Sequence, residues 1–337
     1  MIRNSTNAVK GIYYVNYTVF HGDTASIDAN PIIITDGNSY NQEMSSFHRI
    51  RECFYDQLSN YTDMTSVYSG NGPQQEAIKW LMDDRLEYST CVDNFFIERY
   101  ALAVINFAAP IDNNGNESLA TRQRHLRPGG LIEDSNHLWI SALRQCEWET
   151  VTCLDGSVTT LDLGYRSLSG TVASEIGLLT NLMEISMISN QLYGNIPTEI
   201  GGLKDSVERI SLENNLLTGS MPSEIIELSL LRWFDVRNNM LTGTLMPEIG
   251  GMPSLTWLIL GENNLTGTLP TQFGKLSNLL SLNLRSNSLS GSIPSEIGEL
   301  KALFYLNLGK HSNSILRYVV DPMQRKLTPL LPLKNYK

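Results

Sequence analysis

Residues Leu279-Leu280-Ser281-Leu282-Asn283-Leu284-Arg285-Ser286-Asn287-Ser288-Leu289-Ser290-Gly291-Ser292-Ile293-Pro294 spell the pattern L-x-x-L-x-L-x-x-N-x-L-x-G-x-I-P. The pattern recurs upstream, and its start recurs downstream. Its asparagine column runs Arg166, Asn190, Asn215, Asn239, Asn263, Asn287 and His311, at spacings of 24, 25, 24, 24, 24 and 24 residues. Its glycine column runs Gly170, Gly194, Gly219, Gly243, Gly267 and Gly291. Six copies are complete, and a seventh begins at Leu303 and fails after Leu308. A fixed period of this length marks stacked units, each too small to bury its own apolar edge.

Each column answers a physical need. The L-x-L segment reads as a short strand with its leucines pointing inward, because side chains alternate across a strand. The inward asparagine carries both donors and an acceptor for turn peptides that would otherwise be buried unpaired. The glycine permits a backbone conformation that a Cβ penalises. Pro197, Pro222, Pro270 or Pro294 follows, then Ser or Thr, then usually Glu, the composition of a helical turn's start. In the fourth copy Met246 takes the proline's place and Pro247 follows it. The expected fold is an α/β solenoid, a right-handed superhelix with short parallel strands on its concave face.

This pattern resembles the plant-type extracellular leucine-rich repeat, whose subfamily mark is the L-x-G-x-I-P segment, over Val158 to Gly309. Cys146-Glu-Trp-Glu-Thr-Val-Thr-Cys153 is similar to the C-x-W-x-G-V-x-C element of that family's N-terminal cap, with Thr150 in place of glycine. Gln75 to Leu86 and Phe95 to Phe107 resemble the two helices preceding such caps in algal members. Phe96, Tyr100, Ala103, Val104 and Phe107 share one face at helical spacing, and Asp93 is the expected N-cap. The organisation read from these features is an unassigned segment at 1–72, a helical cap at 73–157, repeats at 158–310 and an irregular basic tail at 311–337. Within 1–72, Ile12 to Phe20 and Ile32 to Thr35 are β-prone, while Phe47, Ile50, Phe54 and Leu58 have helical spacing.

The chain has 337 residues, 42% hydrophobic and 18% charged, enough apolar content to bury a core and exclude wholesale disorder. Lys plus Arg total 25 against 35 Asp plus Glu, a net charge of −10, which argues against a general nucleic-acid or anionic-membrane binder. The middle is the acidic part. Cys146 to Gly309 holds 17 acids and 8 bases, whereas Lys310 to Lys337 holds 6 bases and 1 acid. No stretch reaches the roughly 18 apolar residues of a membrane span, and Met1 to Lys10 lacks the apolar run of a secretory signal.

The resemblance implies a Cys146–Cys153 disulfide stapling the cap to the first repeat, which leaves Cys53 and Cys91 as the remaining pair. Four reduced thiols are the alternative. The cysteines and the five histidines lack ligand spacing, so no metal or other cofactor is expected. The five N-x-[ST] sequons, at Asn4, Asn16, Asn60, Asn116 and Asn264, are about what chance gives. Only Asn264, beside inward Asn263, has a position that should face solvent.

Outward strand positions form the expected ligand surface. One column reads Thr160, Glu184, Arg209, Trp233, Trp257, Ser281, Tyr305, the next Asp162, Ser186, Ser211, Asp235, Ile259, Asn283, Asn307, and the third Gly164, Ile188, Glu213, Arg237, Gly261, Arg285, Gly309. Aromatics and arginines dominate binding hot spots, so the candidates are Arg209, Glu213, Trp233, Asp235, Arg237, Trp257, Arg285 and Tyr305. The competing reading is that Trp233 and Trp257 only stack on each other for stability. The glutamates after the prolines (Glu175, Glu199, Glu224, Glu248, Glu296) read as helix-start complements and are assigned no function.

No phosphate loop, dinucleotide fingerprint, zinc-protease motif, nucleophile elbow, H-R-D or D-F-G occurs, so no catalytic residue is expected. The resemblance implies a non-enzymatic recognition module, secreted or at the cell surface, as in receptor-like ectodomains and polygalacturonase-inhibiting proteins. Its partners would be a protein or peptide, or a wall polysaccharide, with membrane attachment only through an anchor outside this sequence. A cytosolic interaction scaffold and a structural coat protein are the alternatives. Both ends read as incomplete: the last repeat lacks a closing cap, though Ile315, Leu316, Tyr318 and Val319 offer a final strand.

Overall fold

The computed structural model describes residues 11–21, 24–34, 72–83, 94–109, 144–309, 317–321 and 326–329. The chain divides into two units, Met1–Tyr61 and Thr62–Lys337. In the first, β1 (Gly11–His21) pairs antiparallel with β2 (Thr24–Ile34), from Gly11 against Ile34 to His21 against Thr24. Phe47 to Leu58, read above by helical spacing, lies outside the described residues.

The second unit is a solenoid of leucine-rich type. It begins with helices α1 (Pro73–Asp83) and α2 (Asn94–Ala108). Asp93, the expected N-cap, lies outside the described residues, as do Asp84 to Leu86 of the first expected helix. A short helical turn, Gln145–Glu147, leads into the hairpin β3 (Val151–Leu154) and β4 (Ser157–Asp162). From there each repeat contributes one short strand to a single sheet. These are β6 (Glu184–Ser186), β8 (Arg209–Ser211), β10 (Trp233–Asp235), β11 (Trp257–Ile259), β12 (Ser281–Asn283) and β13 (Tyr305–Asn307). Neighbours from β4 to β13 pair in parallel and in repeat register. On the adjoining side, β5 (Ser169–Thr171), β7 (Gln191–Gly194) and β9 (Leu216–Leu217) pair in parallel. Single bridges Ser220–Thr242, Thr244–Thr266 and Thr268–Ser290 carry that pairing onward.

Parallel pairing in register is what forces identical columns to stack. Leu161, Ile185, Ile210, Phe234, Leu258, Leu282 and Leu306 form one buried row, and Leu163, Met187, Leu212, Val236, Leu260, Leu284 and Leu308 a second. Ile176, Ile200, Ile225, Ile249, Phe273 and Ile297, from the turns after the prolines, close the core opposite. The chain reverses inside this core, where no strand partner exists for its peptide groups. The asparagine column supplies them. Asn263 donates to the carbonyls of Val236 at 2.9 Å and Leu260 at 3.2 Å and accepts from the Leu241 N–H at 2.9 Å. Asn215, Asn239 and Asn287 repeat this arrangement, linking each repeat to the one before. Asn190 also serves the repeat whose own position is Arg166, accepting from the Arg166 and Leu168 N–H groups.

Both edges of the parallel sheet meet antiparallel strands. At the start, β3 covers β4. At the end, β14 (Arg317–Asp321) pairs with β13 and holds Tyr318 and Val319 of the expected final strand, while Ile315 and Leu316 lie outside the described residues; β15 (Lys326–Pro329) pairs with β14. The outermost strands of this sheet are therefore the antiparallel β3 and β15, and the parallel repeat strands all lie inside it.

The cap is tied to the first repeats through polar groups. Glu98 of α2 accepts the Val158 N–H at 3.1 and 3.2 Å. Burial raises its pKa, against hydrogen bonds from Val158, Gln145 and Asn181 that pull it down. Arg99 is fully buried between the rings of Trp80 and Trp148, 4.7 and 4.9 Å from their centroids. Gln74 donates to Glu175 at 3.0 Å, so the first glutamate of its column joins α1 to the repeats. At Gly170 the backbone passes so close to α2 that a Cβ would lie 2.0 Å from the Ala108 carbonyl oxygen.

Asn263→Asp tests the asparagine column, because it keeps the shape and the acceptor but removes the donors that hold Val236 and Leu260. We expect a loss of about 1–3 kcal/mol, seen as a lower urea midpoint, with Asn264→Asp close to neutral.

Candidate functional site

The outward strand positions converge on one stretch of the sheet, from β6 to β13. In-register pairing sets Glu184, Arg209, Trp233, Trp257, Ser281 and Tyr305 side by side. Arg209 bridges to Glu184 at 3.2 Å and lies over the Trp233 ring at 4.7 Å. Trp233 and Trp257 stack with centroids 4.8 Å apart and planes 32° from parallel. Ser281 is small and buried, and Phe304 from the next strand's approach reaches across that gap to meet Trp257 edge-on at 5.7 Å. Tyr305 is exposed, and its hydroxyl accepts from Asn307 at 2.9 Å. The result is a continuous Arg–Trp–Trp–Phe row. Phe304 was absent from the sequence candidates because it sits one residue before the outward columns; Met183, Arg232, Thr256 and Leu280 hold that place elsewhere.

Every candidate arginine is matched to an acid of the preceding repeat. Arg209 pairs with Glu184, Arg237 with Glu213 at 3.5 Å, and Arg285 with Glu262. Arg232 and Glu208 form a further pair at 3.5 Å. The arginine heads are at least part exposed in every pair, whereas Glu213 is buried, so the solvent-facing pairs add little stability and mainly fix the arginine heads over the sheet. Sequence columns could not show this, because partners one repeat apart stand about 25 residues apart in the chain.

In the middle column Asp162 is exposed and Ser186 half-buried, whereas the later members are covered. Asp235 is fully buried, Asn283 and Asn307 nearly so. Each turns its Oδ1 back to the N–H two residues on: Asp162 to Gly164 at 3.1 Å, Asp235 to Arg237 at 3.1 Å, Asn283 to Arg285 at 3.2 Å and Asn307 to Gly309 at 3.1 Å. The second oxygen of Asp235 has no hydrogen bond, and neither does Oε2 of Glu213, which is 8% exposed. Arg237 faces both carboxylates, 3.4 Å from Asp235 and 3.5 Å from Glu213. Burial pushes the Asp235 pKa up to about 6, with the charge of Glu213 adding to it and the Arg237 N–H and guanidinium opposing.

Away from this surface, Cys146 and Cys153 form a disulfide with Cα atoms 5.5 Å apart. Cys53 and Cys91 lie outside the described residues. Asn264 is exposed beside buried Asn263. Among the described residues no helix is long and apolar enough to cross a membrane, and no group of three or more His, Cys, Asp or Glu side chains could hold a metal ion.

Comparison with known proteins finds the same repeat. The family described as Leucine rich repeat matches residues 253–314. The LRR receptor-like serine/threonine-protein kinase GSO2 of Arabidopsis thaliana is 38% identical over 87 residues, 26% of this chain and 7% of that protein. Protein MALE DISCOVERER 2 of Arabidopsis thaliana is 33% identical over 116 residues, 33% of this chain and 17% of that protein. The match thus spans a small part of the curated relatives' length. Among solved structures, the Arabidopsis receptor kinase HAESA in complex with the peptide hormone IDA and the co-receptor SERK1 is 30% identical. It aligns with a TM-score of 0.47 and covers 49% of this chain and 28% of that one.

The raised pKa of Asp235 carries a stability signature. The folded chain holds this proton more tightly than the unfolded one, so stability falls as pH rises from about 4 to about 6 and stays reduced above. Asp235→Asn keeps the Oδ1 bond and removes the charge. We expect it to stabilise the protein by about 1–2 kcal/mol at pH 7.5 and to change little at pH 4, measured by urea unfolding at both.

Proposed function

Because residues 158–309 form a plant-type leucine-rich repeat array, we propose that the chain is a non-enzymatic recognition module. It takes a protein or peptide ligand on the concave sheet, as a receptor-like ectodomain or secreted binder. The observation that carries this reading is the half-exposed row of Arg209, Trp233, Trp257 and Phe304 beside exposed Tyr305. Such a row puts rigid aromatic area and fixed charge on the one surface that in-register stacking keeps free of connections. The curated relatives, whose names include receptor-like kinases and Phytosulfokine receptor 1 of Arabidopsis thaliana, support a receptor setting.

The geometry also separates ligand classes. A sugar ring binds tryptophan by lying on the indole face. Here Arg209 lies over Trp233 and the two indoles stack on each other, while Phe304 meets Trp257 edge-on. Besides the indole rims, the exposed rings here are those of Phe304 and Tyr305, a small and divided aromatic area that suits side chains and peptide groups better than stacked pyranose rings. A disulfide at Cys146–Cys153 fits an oxidising compartment, which favours the cell exterior over the cytosol. With its place on the exposed flank, Asn264 is the glycan acceptor we assign in that setting.

Screening the secreted chain against peptide and glycan libraries tests both parts. We expect peptide or protein hits that Trp257→Ala weakens about tenfold or more while the unfolding midpoint moves little. Glycan hits indifferent to Trp257→Ala would overturn the reading.

A further inference from the structure

The fold does not need a charge at position 235. Asn283 and Asn307 make the same Oδ1 bond to the N–H two residues on, with no carboxylate. Asp235 makes that bond and then buries an extra oxygen that has no hydrogen bond. Its Oδ2 stands 3.4 Å from the Arg237 guanidinium, and on the neighbouring repeat Glu213 buries an Oε2 with no hydrogen bond while its Oε1 stands 3.5 Å from the same guanidinium. A buried acceptor without a donor is destabilising, and two together are more so. Groups that burden the fold in this way mark places where a ligand completes the structure.

The surroundings define what is missing. From the strand of repeat 213 come Arg209, Ser211 and Glu213, and from the strand after 235 come Trp257 and the buried, apolar Ile259. Arg209 is engaged with Glu184 and Trp233, and Arg285 with Glu262. Among the described residues Arg237 is the cation that faces both carboxylates, 3.4 Å from Asp235 Oδ2 and 3.5 Å from Glu213 Oε1, close enough for attraction but leaving Asp235 Oδ2 and Glu213 Oε2 without a hydrogen bond. Arg237 is half exposed and can swing toward solvent, which opens the pair beside the aromatic row.

The geometry points to Glu213 and Asp235 as a cation-accepting subsite of the concave face, which takes the ammonium or guanidinium of a ligand's lysine or arginine. This rests on the concave face being the ligand surface. Arg237 occupies the subsite in the free protein and is displaced on binding, while the stem of the incoming side chain lies along Trp233 and Trp257. An entering cation stabilises ionised Asp235, so binding releases the proton that the carboxyl holds at low pH.

The test uses the full chain and three small probes: N-acetyl-arginine methylamide, N-acetyl-lysine methylamide and the neutral N-acetyl-norleucine methylamide. Binding is followed by tryptophan fluorescence at pH 7.5 and pH 5, with near-UV circular dichroism to confirm packing. We expect both cationic probes to bind at least fivefold tighter than the norleucine probe at pH 7.5. That preference should shrink at pH 5 and disappear in Asp235→Asn and in Glu213→Gln. Arg237→Gln, which removes the resident cation, should tighten the cationic probes severalfold. Cationic probes no better than norleucine, or an equal preference in Asp235→Asn and the unaltered chain, would overturn the subsite. The wider reading fails separately: Trp257→Ala then leaves all three probes unaffected, whereas a failed subsite with a sound aromatic surface shows Trp257→Ala weakening all three alike.

Discussion

A chain that reverses direction inside its own core strands peptide groups where neither water nor a strand neighbour can reach them. In this protein one asparagine per repeat meets that need, donating two hydrogen bonds and accepting at least one. The bonds run to the preceding repeat as well as within the same one, so a repeat cannot form its corner alone. Stacking is therefore an electrostatic requirement as much as a hydrophobic one. The first repeat, with Arg166 in place of asparagine, borrows the next repeat's asparagine. The last repeat strand, β13, pairs with the antiparallel β14.

Register follows from that corner, and the surface follows from register. Because each repeat is fixed to its neighbour at the same depth, equivalent side chains stand beside one another without drift. Two tryptophans 24 residues apart become a stack, and an arginine and a glutamate one repeat apart become an ion pair. The cap contributes through a different set of contacts, with Glu98 reaching the Val158 N–H and Arg99 held between two indoles.

The repeat architecture was legible because it rests on a local rule applied again and again. The inward leucines, the asparagine corners and the strand positions all follow from a period that the amino-acid order displays openly. The surface was legible only in part. Trp233, Trp257 and the arginines are visible as columns, but their pairing with Glu184, Glu213 and Glu262 depends on side-chain reach across repeats. Phe304 escaped because it lies off-column and arrives through the gap left by Ser281. Asp235 illustrates the limit best. Strand alternation places it outward, yet the side chains around it close over the carboxylate, and burial of this kind depends on neighbours' size more than on their order.

Hydrogen exchange on the chain with and without its captured ligand addresses the central claim, that the concave sheet does the gripping. The account predicts slowed exchange confined to the strands and the residues after them, 209–213, 233–237, 257–261 and 281–309. Slowed exchange on the adjoining flank around 242–244 and 266–268, with the concave strands unchanged, would contradict it.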